Sequence, residues 1–253
     1  MSVGRLDAAG LRPDDLVFLV VVVLVVGGGT VLAGERRIRI MNLEAFRRKP
    51  LMGIVRGLQS DDLEPVIEHA IEAGLETLEI TMNTAGAAEL IRRASEIAGG
   101  RLTLGAGTVL EIGDLEAALD AGATFAVLPT MVDEVVNVCV ERGVAVFPGA
   151  LTPTEVYAAW RAGAAMVKVF PAQVAGPDYF RELKGPFGEL LLLACGGVSA
   201  ENLGSYARAG ADAFAFGGSV FRAEWMASGE YERIADAIRG LVTAYNKVSC
   251  IEV

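Results

Sequence analysis

Histidine and cysteine are scarce in this chain of 253 residues. His69 is the single histidine, and the three cysteines, Cys139, Cys195 and Cys250, stand far apart without a Cys-x-x-Cys pair. A zinc site of thiolates and imidazoles therefore cannot be assembled within one chain, and we expect no metal. Nucleophilic catalysis that needs an imidazole would have to use His69. The cysteine usage favours a reducing compartment, so we expect a cytoplasmic protein.

Positive charge is also in short supply, because the formal net charge is −10 at pH 7. The chain has no cluster of lysines and arginines, so it lacks the electrostatic footprint of a protein that grips a phosphodiester backbone. We therefore expect no nucleic-acid partner. Lysine is rarest of all, since only Lys49, Lys168, Lys184 and Lys247 occur, and the setting of each is informative.

A long uncharged stretch occurs at the amino end, where residues 16–34 carry no charge. Its length just reaches the roughly 18 residues of a membrane-spanning helix. The acidic residues before this stretch argue against a secretory signal, which begins with a positively charged region. The glycines at 27–29 interrupt the apolar run and argue against a stable spanning helix. We expect residues 1–40 to be an extension outside the fold, from a start site placed too early, and no membrane partner. The alternative is a real anchor on a membrane-tethered binding module without catalysis.

Short apolar runs alternate with amphipathic stretches from residue 52 onward, as in proteins built from βα units around a parallel sheet. The pattern predicts strands at 52–56, 77–81, 102–105, 125–128, 145–147, 166–170, 190–194 and 213–216. It predicts helices at 63–73, 85–97, 112–121, 134–142, 154–162 and 200–209. Four helix ends carry a glycine suited to a left-handed cap, at Gly74, Gly122, Gly163 and Gly210. Eight such units predict one (β/α)8 TIM-barrel domain over residues 41–253, with a doubly wound open sheet as the alternative.

Two charged side chains are predicted to point into this barrel. Alternate residues of a barrel strand face the interior. Val167 and Val169 match the helix-facing set, which turns Lys168 and Phe170 inward, and the same alternation turns Glu79 inward. Burial disfavours the ammonium form of a lysine and so frees the amine to attack a carbonyl carbon. A Schiff-base lysine is the resulting hypothesis, and a structural ion pair at the rim is the alternative.

Glycine pairs follow the last two predicted strands. Gly196 and Gly197 follow one strand, and Gly218 precedes Ser219 after the next. In this position backbone N–H groups and the start of a short helix can hold a phosphate, because glycine lets the main chain approach. Arg56, at the end of the first strand, is a cation that can pair with a phosphate or carboxylate or else face solvent.

Four short motifs occur in a fixed order, with Leu-Glu-Ile-Thr at 78–81, Gly-Ala-Gly-Thr-Val at 105–109, Val-Lys-Val-Phe-Pro at 167–171 and Gly-Gly-Val at 196–198. In this order they resemble the 2-keto-3-deoxy-6-phosphogluconate aldolase family, and the resemblance covers residues 52–245. It implies a class I, metal-free (β/α)8 aldolase without a cofactor, commonly a homotrimer.

The resemblance also implies roles for individual residues. Lys168 would form the Schiff base and Glu79 would be the general acid/base, with pyruvate as one product. Thr108 and Pro129 would border the keto-acid end of a phosphorylated keto-acid substrate, and Phe170 would pack beside the imine. The phosphate would be held by Gly196, Gly197, Gly218 and Ser219.

Two positions depart from the gluconate-type pattern. Asn83 stands in place of an arginine and Cys195 in place of a threonine, and together with Arg56 they resemble the 2-keto-3-deoxy-6-phosphogalactonate branch. The sugar-acid epimer and activity on 4-hydroxy-2-oxoglutarate stay open from sequence. A phosphate-binding barrel isomerase or synthase, with Lys168 as an anion ligand and no imine, is the alternative function.

Overall fold

The structure is a computed structural model that describes residues 17–26 and 29–249. Residues 1–16 and 27–28 of the predicted extension, and Cys250, lie outside the described residues. Strands β1 (Val17–Val26) and β2 (Gly29–Arg39) pair antiparallel in a sheet of their own. The described part of the uncharged stretch thus forms strands, and it is rich in the β-branched valine that strands favour. No helix among the described residues has the length and apolarity needed to cross a membrane.

The main sheet is a ring of parallel strands, which confirms the TIM barrel over the open sheet. Its members are β3 (Leu51–Val55), β4 (Thr77–Thr81), β5 (Thr103–Gly107), β6 (Phe125–Val127), β7 (Ala145–Phe147), β8 (Gly149–Ala150), β9 (Val167–Val169), β10 (Leu192–Cys195) and β11 (Ala213–Phe216). All eight predicted strands are present, and none of their ends is displaced by more than two residues.

The ring closes through a strand that is interrupted at Pro148. Before the proline, β7 pairs with β6, and after it β8 pairs with β9. Proline has no N–H to donate and is found in sheets at such irregularities. Its carbonyl still accepts a hydrogen bond from the Lys168 N–H at 2.9 Å, so the contact between the two halves of the ring is kept. The sequence pattern predicted only the first half of this strand.

Helices cover the outside of the ring. They are α1 (Leu43–Arg48), α2 (Leu63–Glu72), α3 (Ala87–Ala98), α4 (Ile112–Asp120), α5 (Asp133–Glu141), α6 (Pro153–Arg161), α7 (Ala172–Ala175), α8 (Pro177–Lys184), α9 (Leu203–Arg208), α10 (Ala223–Ala227) and α11 (Tyr231–Ser249). The six predicted helices correspond to α2–α6 and α9. The four predicted glycine caps all have positive φ angles, between +87° and +102°.

The amino end of the barrel is closed by α1. Its Phe46 is buried and packs edge-on against Phe147 inside the barrel, with ring centroids 5.9 Å apart. Asn42 caps the helix, because its side-chain oxygen accepts the Ala45 N–H at 3.0 Å. Met41 is buried beside them and donates its N–H to the Thr124 carbonyl at 3.1 Å. The packed part of the barrel therefore begins at Met41.

We propose that residues 1–40 are dispensable for the barrel, and we expect a chain that begins at Met41 to keep its melting temperature. A chain that begins at Pro50 is the control, because it lacks Met41 and Phe46. Loss of a buried phenylalanine costs about 3–5 kcal/mol, so this second chain should melt several degrees lower. Thermal unfolding followed by circular dichroism measures both. If the chain that begins at Met41 is unfolded at ambient temperature, the proposal is contradicted.

Candidate active site

Glu79 and Lys168 lie inside the barrel on strands that face each other. When β7 and β8 are counted as one interrupted strand, the ring has eight strands. In this ring β4 and β9 are four strands apart, so they lie directly opposite each other. The apolar neighbours of both residues pack toward the helices, so both charged side chains turn inward. Glu79 is 1% exposed and Lys168 is 6% exposed. The structure thus brings together the two charged residues that alternation predicts to face inward.

The carboxyl group of Glu79 is buried. Burial raises its pKa to about 7, although the positive charges of Lys168 and Arg56 act in the opposite direction. Its Oε2 atom is buried and has no hydrogen-bond partner among the described residues. Gly107 makes room for this carboxyl, because a Cβ at that position would lie 2.6 Å from the Glu79 carboxyl carbon. A larger residue at 107 would displace the acid.

Lys168 is surrounded by one ring and one thiol. Its Nζ lies 5.2 Å from the centre of the Phe170 ring, which is 37% exposed at the mouth of the barrel. Cys195 is buried, and burial raises the pKa of its thiol even though Lys168 acts to lower it. Gly196 lies against Phe170, since a Cβ there would meet the ring at 3.3 Å. The amine therefore has an apolar wall and a neutral thiol beside it.

The two glycine loops present backbone donors at the carboxyl end of the barrel. The N–H groups of Gly197, Gly218 and Ser219 donate to no other group among the described residues. A Cβ at Gly218 would meet nothing within 4 Å, so this loop faces open space. The Ser219 hydroxyl donates to the Val198 carbonyl at 3.1 Å and ties the two loops together. Such unused N–H groups suit an anion.

The rim carries the remaining residues predicted from sequence. Arg56 is exposed and forms no ion pair within the described part of the chain. Thr108 has a φ of +55°, a strained conformation for a residue other than glycine and one that is concentrated at functional sites. The Pro129 carbonyl is packed so closely on Gly149 that a Cβ there would overlap it. Asn83 is exposed in the turn after β4.

Sequence reasoning missed two polar residues near the site. The Thr84 hydroxyl accepts the N–H of Gly57, next to Arg56, at 3.0 Å. Gln173 donates its N–H to the Gly196 carbonyl at 3.0 Å, and its side chain covers Gly197. Polar residues after a strand are common, so nothing in a single sequence distinguishes these two from ordinary loop residues.

The chemistry open to this arrangement is covalent catalysis on a carbonyl. A buried amine can add to a carbonyl carbon, and an acid with a pKa near neutrality can both take up and return a proton. Within the described ranges, no three His, Cys, Asp or Glu side chains are grouped as a metal site needs.

Comparison with known proteins agrees with this chemistry. The family model for KDPG and KHG aldolase matches residues 43–237. The chain belongs to this aldolase family. It is 34% identical to the probable 2-dehydro-3-deoxy-6-phosphogalactonate aldolase of Rhizobium meliloti over 201 residues, which are 79% of this chain and 93% of that protein. It is 32% identical to the 2-dehydro-3-deoxy-phosphogluconate aldolase of Treponema pallidum over 193 residues, or 76% of this chain and 91% of that protein.

A solved structure described as native KDPGal also matches, with a TM-score of 0.75 and 31% identity over 81% of this chain and 97% of that one. These findings confirm the family identified from the four sequence motifs. They also make this chain an enzyme, since the aldolases of the family are lyases of the class I type.

We expect the burial of Glu79 to make the free energy of unfolding depend on pH. A carboxyl whose pKa is raised on folding contributes stability that is complete below its unfolded pKa, 4.5, and is lost as pH rises through about 7. Between pH 4.5 and pH 8 the folded state should therefore lose up to about 3 kcal/mol through this one group. Glu79→Gln cannot ionise, so its stability relative to wild type should improve across this range.

Urea unfolding of both proteins at pH 5 and pH 8 measures the difference, with Glu76→Gln as a control because Glu76 is an exposed acid. A stability difference between Glu79→Gln and wild type that does not change with pH would show that the carboxyl is not buried in this way.

Proposed function

We propose that this aldolase cleaves a 2-keto-3-deoxy-6-phospho sugar acid to pyruvate and glyceraldehyde 3-phosphate through an imine on Lys168. The observation that carries the proposal is the pair of buried charged groups, an amine and a carboxyl, that face each other at the carboxyl end of an apolar barrel. An isomerase that used Lys168 only as an anion ligand would gain nothing from burying it beside Glu79.

The proposed reaction starts when the neutral amine of Lys168 adds to the C2 ketone; the C2 oxygen takes a proton from the protonated form of Glu79 and leaves as water, which gives a protonated imine. Glu79 takes the proton of the C4 hydroxyl, the C3–C4 bond breaks, and its electron pair moves into the imine to form an enamine. Glyceraldehyde 3-phosphate departs. Glu79 then returns a proton to C3, and water hydrolyses the imine to release pyruvate. One carboxyl serves both steps, because a pKa of about 7 leaves both of its forms populated at neutral pH.

The two ends of the substrate are proposed to bind at different parts of the rim. Thr108 and Pro129 border the keto-acid end, Phe170 packs beside the imine, and Arg56 supplies a cation for an anionic group. The phosphate is held by the backbone donors of Gly196, Gly197, Gly218 and Ser219. Support comes from the unused N–H groups of these loops and from the exposed, unpaired state of Arg56 among the described residues. Contacts so far from the reacting bond supply orientation.

We also propose a homo-oligomer, and a homotrimer in particular, that works in the cytoplasm. Large apolar side chains are exposed at the carboxyl side of the barrel, among them Leu110 at 49% and Val174 at 71%, and they fit a surface that another copy covers. Cys139 and Cys195 are buried free thiols, which is compatible with a reducing compartment.

Trapping with pyruvate and borohydride tests the imine. We expect mass spectrometry to find the reduced adduct on Lys168 alone among the four lysines, and we expect Lys168→Ala to abolish turnover while the protein stays folded. Lys247→Ala is the matched control, because Lys247 is exposed and far along α11, and this variant should label and turn over like wild type. Labelling at Lys49, Lys184 or Lys247 with Lys168 unmodified would overturn the assignment.

We propose the galactonate epimer as the preferred substrate. The two epimers differ only in configuration at C4, whose hydroxyl Glu79 must deprotonate. Asn83 stands in the turn that follows the Glu79 strand. Gluconate-type members of the family usually carry an arginine at this position, and the shorter amide of Asn83 leaves that space open. Cys195, next to Lys168, is the second departure. The relatives do not decide the point, since the galactonate-type and gluconate-type proteins are 34% and 32% identical to this chain.

The ratio of kcat/KM for the two epimers tests this proposal. We expect the galactonate form to be cleaved at least as well as the gluconate form in wild type. Asn83→Arg should shift the ratio toward gluconate by about ten- to a hundred-fold, the value of one hydrogen bond made or left unpaired. Asn83→Gln, which keeps the amide, is the control and should shift it less. A strong preference of the wild-type enzyme for the gluconate form would contradict the proposed preference for the galactonate epimer. The unphosphorylated 4-hydroxy-2-oxoglutarate is measured alongside.

A further inference from the structure

The Thr84 hydroxyl joins the ends of two neighbouring barrel strands. It accepts the N–H of Gly57, which follows Arg56 at the end of β3, at 3.0 Å. The same oxygen lies 3.0 Å from the Thr81 hydroxyl at the end of β4, the strand of Glu79. A single side chain thus connects the strand end that carries the rim cation with the strand that carries the buried acid.

Thr84 is held firmly enough to act as a fixed point. It is 6% exposed, and Thr81 is fully buried. The Thr84 N–H donates to the Thr81 carbonyl at 2.9 Å, and the Thr84 carbonyl accepts the Ala87 N–H at 3.1 Å. Since its backbone is fixed in this turn, the hydroxyl has little freedom to move.

The bond to Gly57 fixes the direction of Arg56. The Gly57 N–H belongs to the peptide unit that leaves Arg56, so holding it sets the orientation of that unit. Gly57 has a φ of +69°, which lets the chain turn sharply there. The Arg56 side chain is exposed and has no ion pair within the described residues, so its placement depends on the main chain. Arg56 directly follows β3, which pairs with the Glu79 strand β4, so it lies at the end of the barrel next to that strand.

We infer that Thr84 is a positioning residue that holds Arg56 at the mouth of the barrel, where Arg56 receives an anionic group of the substrate. The inference rests on the function proposed above. Thr84 does not touch the reacting atoms, and its hydroxyl, rather than its methyl group, carries the role. Its loss should therefore weaken substrate binding and leave the chemical step nearly unchanged.

Steady-state kinetics of Thr84→Val and Thr84→Ser test the role of the hydroxyl. Thr84→Val keeps the shape and removes the acceptor, and we expect KM for the phosphorylated keto acid to rise about tenfold with kcat changed less than about threefold. Thr84→Ser keeps the acceptor and should stay within about twofold of wild type in both. Thr84→Ala replaces the valine variant if circular dichroism shows that valine is not accommodated. An unchanged KM in the variant without the hydroxyl would overturn the inference.

A double-mutant cycle with Arg56→Ala distinguishes positioning from general loss of structure. Arg56→Ala alone should raise KM. If Thr84 acts through Arg56, adding Thr84→Val to Arg56→Ala should raise KM no further, whereas effects on KM that multiply would overturn the inference.

Pyruvate trapping separates this inference from the proposed function. Wild type and Thr84→Val should both be labelled at Lys168 at saturating pyruvate. An unlabelled wild type would contradict the imine proposal. A labelled wild type with normal KM in Thr84→Val would contradict the positioning role alone.

Discussion

Taking a carboxyl group out of water raises its free energy most when no hydrogen bond replaces the solvent, and the Oε2 atom of Glu79 is buried in that condition. The cations Lys168 and Arg56 recover only part of the cost, because the pKa of the acid still stays near 7. A folded protein keeps such a group only if the surrounding barrel is stable without its help. The rest of the architecture is therefore arranged around an acid that weakens the fold and enables the proton transfers proposed for it.

Small residues are what allow the barrel to hold this acid. Gly107 leaves the volume in which the Glu79 carboxyl lies, and Gly105, two residues earlier on the same strand, leaves room for the ring of Phe125. One strand thus accommodates the Glu79 carboxyl above and an aromatic layer below. Phe125, Phe147 and Phe46 then fill the lower barrel with edge-on contacts at 5.8 and 5.9 Å. The Glu79 carboxyl is buried above this layer, and Phe170 is partly exposed at the mouth.

The sequence predicted those parts of the fold that depend on neighbours along the chain. Alternation placed Lys168 and Glu79 on the inward face, and glycine after alanine marked the helix ends. The strand break at Pro148 escaped prediction, because two residues after a proline carry too weak a pattern to be recognised as a strand. The Thr84 contact also escaped it, since a bond between Thr84 and Gly57 depends on how far β3 and β4 are staggered. That stagger is set by packing across the sheet and is not written in either segment alone.

Net charge poses a final constraint on how this protein attracts its substrate. The chain carries a formal charge of −10, and the proposed substrate, a phosphorylated keto acid, is itself anionic, so the field of the whole molecule opposes its binding. At physiological ionic strength charges in water are screened beyond about 8 Å, which removes most of this distant repulsion. In the proposed binding mode, attraction at the mouth comes from groups in direct contact, which are the backbone donors of the glycine loops and the guanidinium of Arg56. Because so few groups share this proposed task, the direction in which each one points matters more than the total charge, and the role inferred for Thr84 lets a neutral hydroxyl influence the binding of an anion.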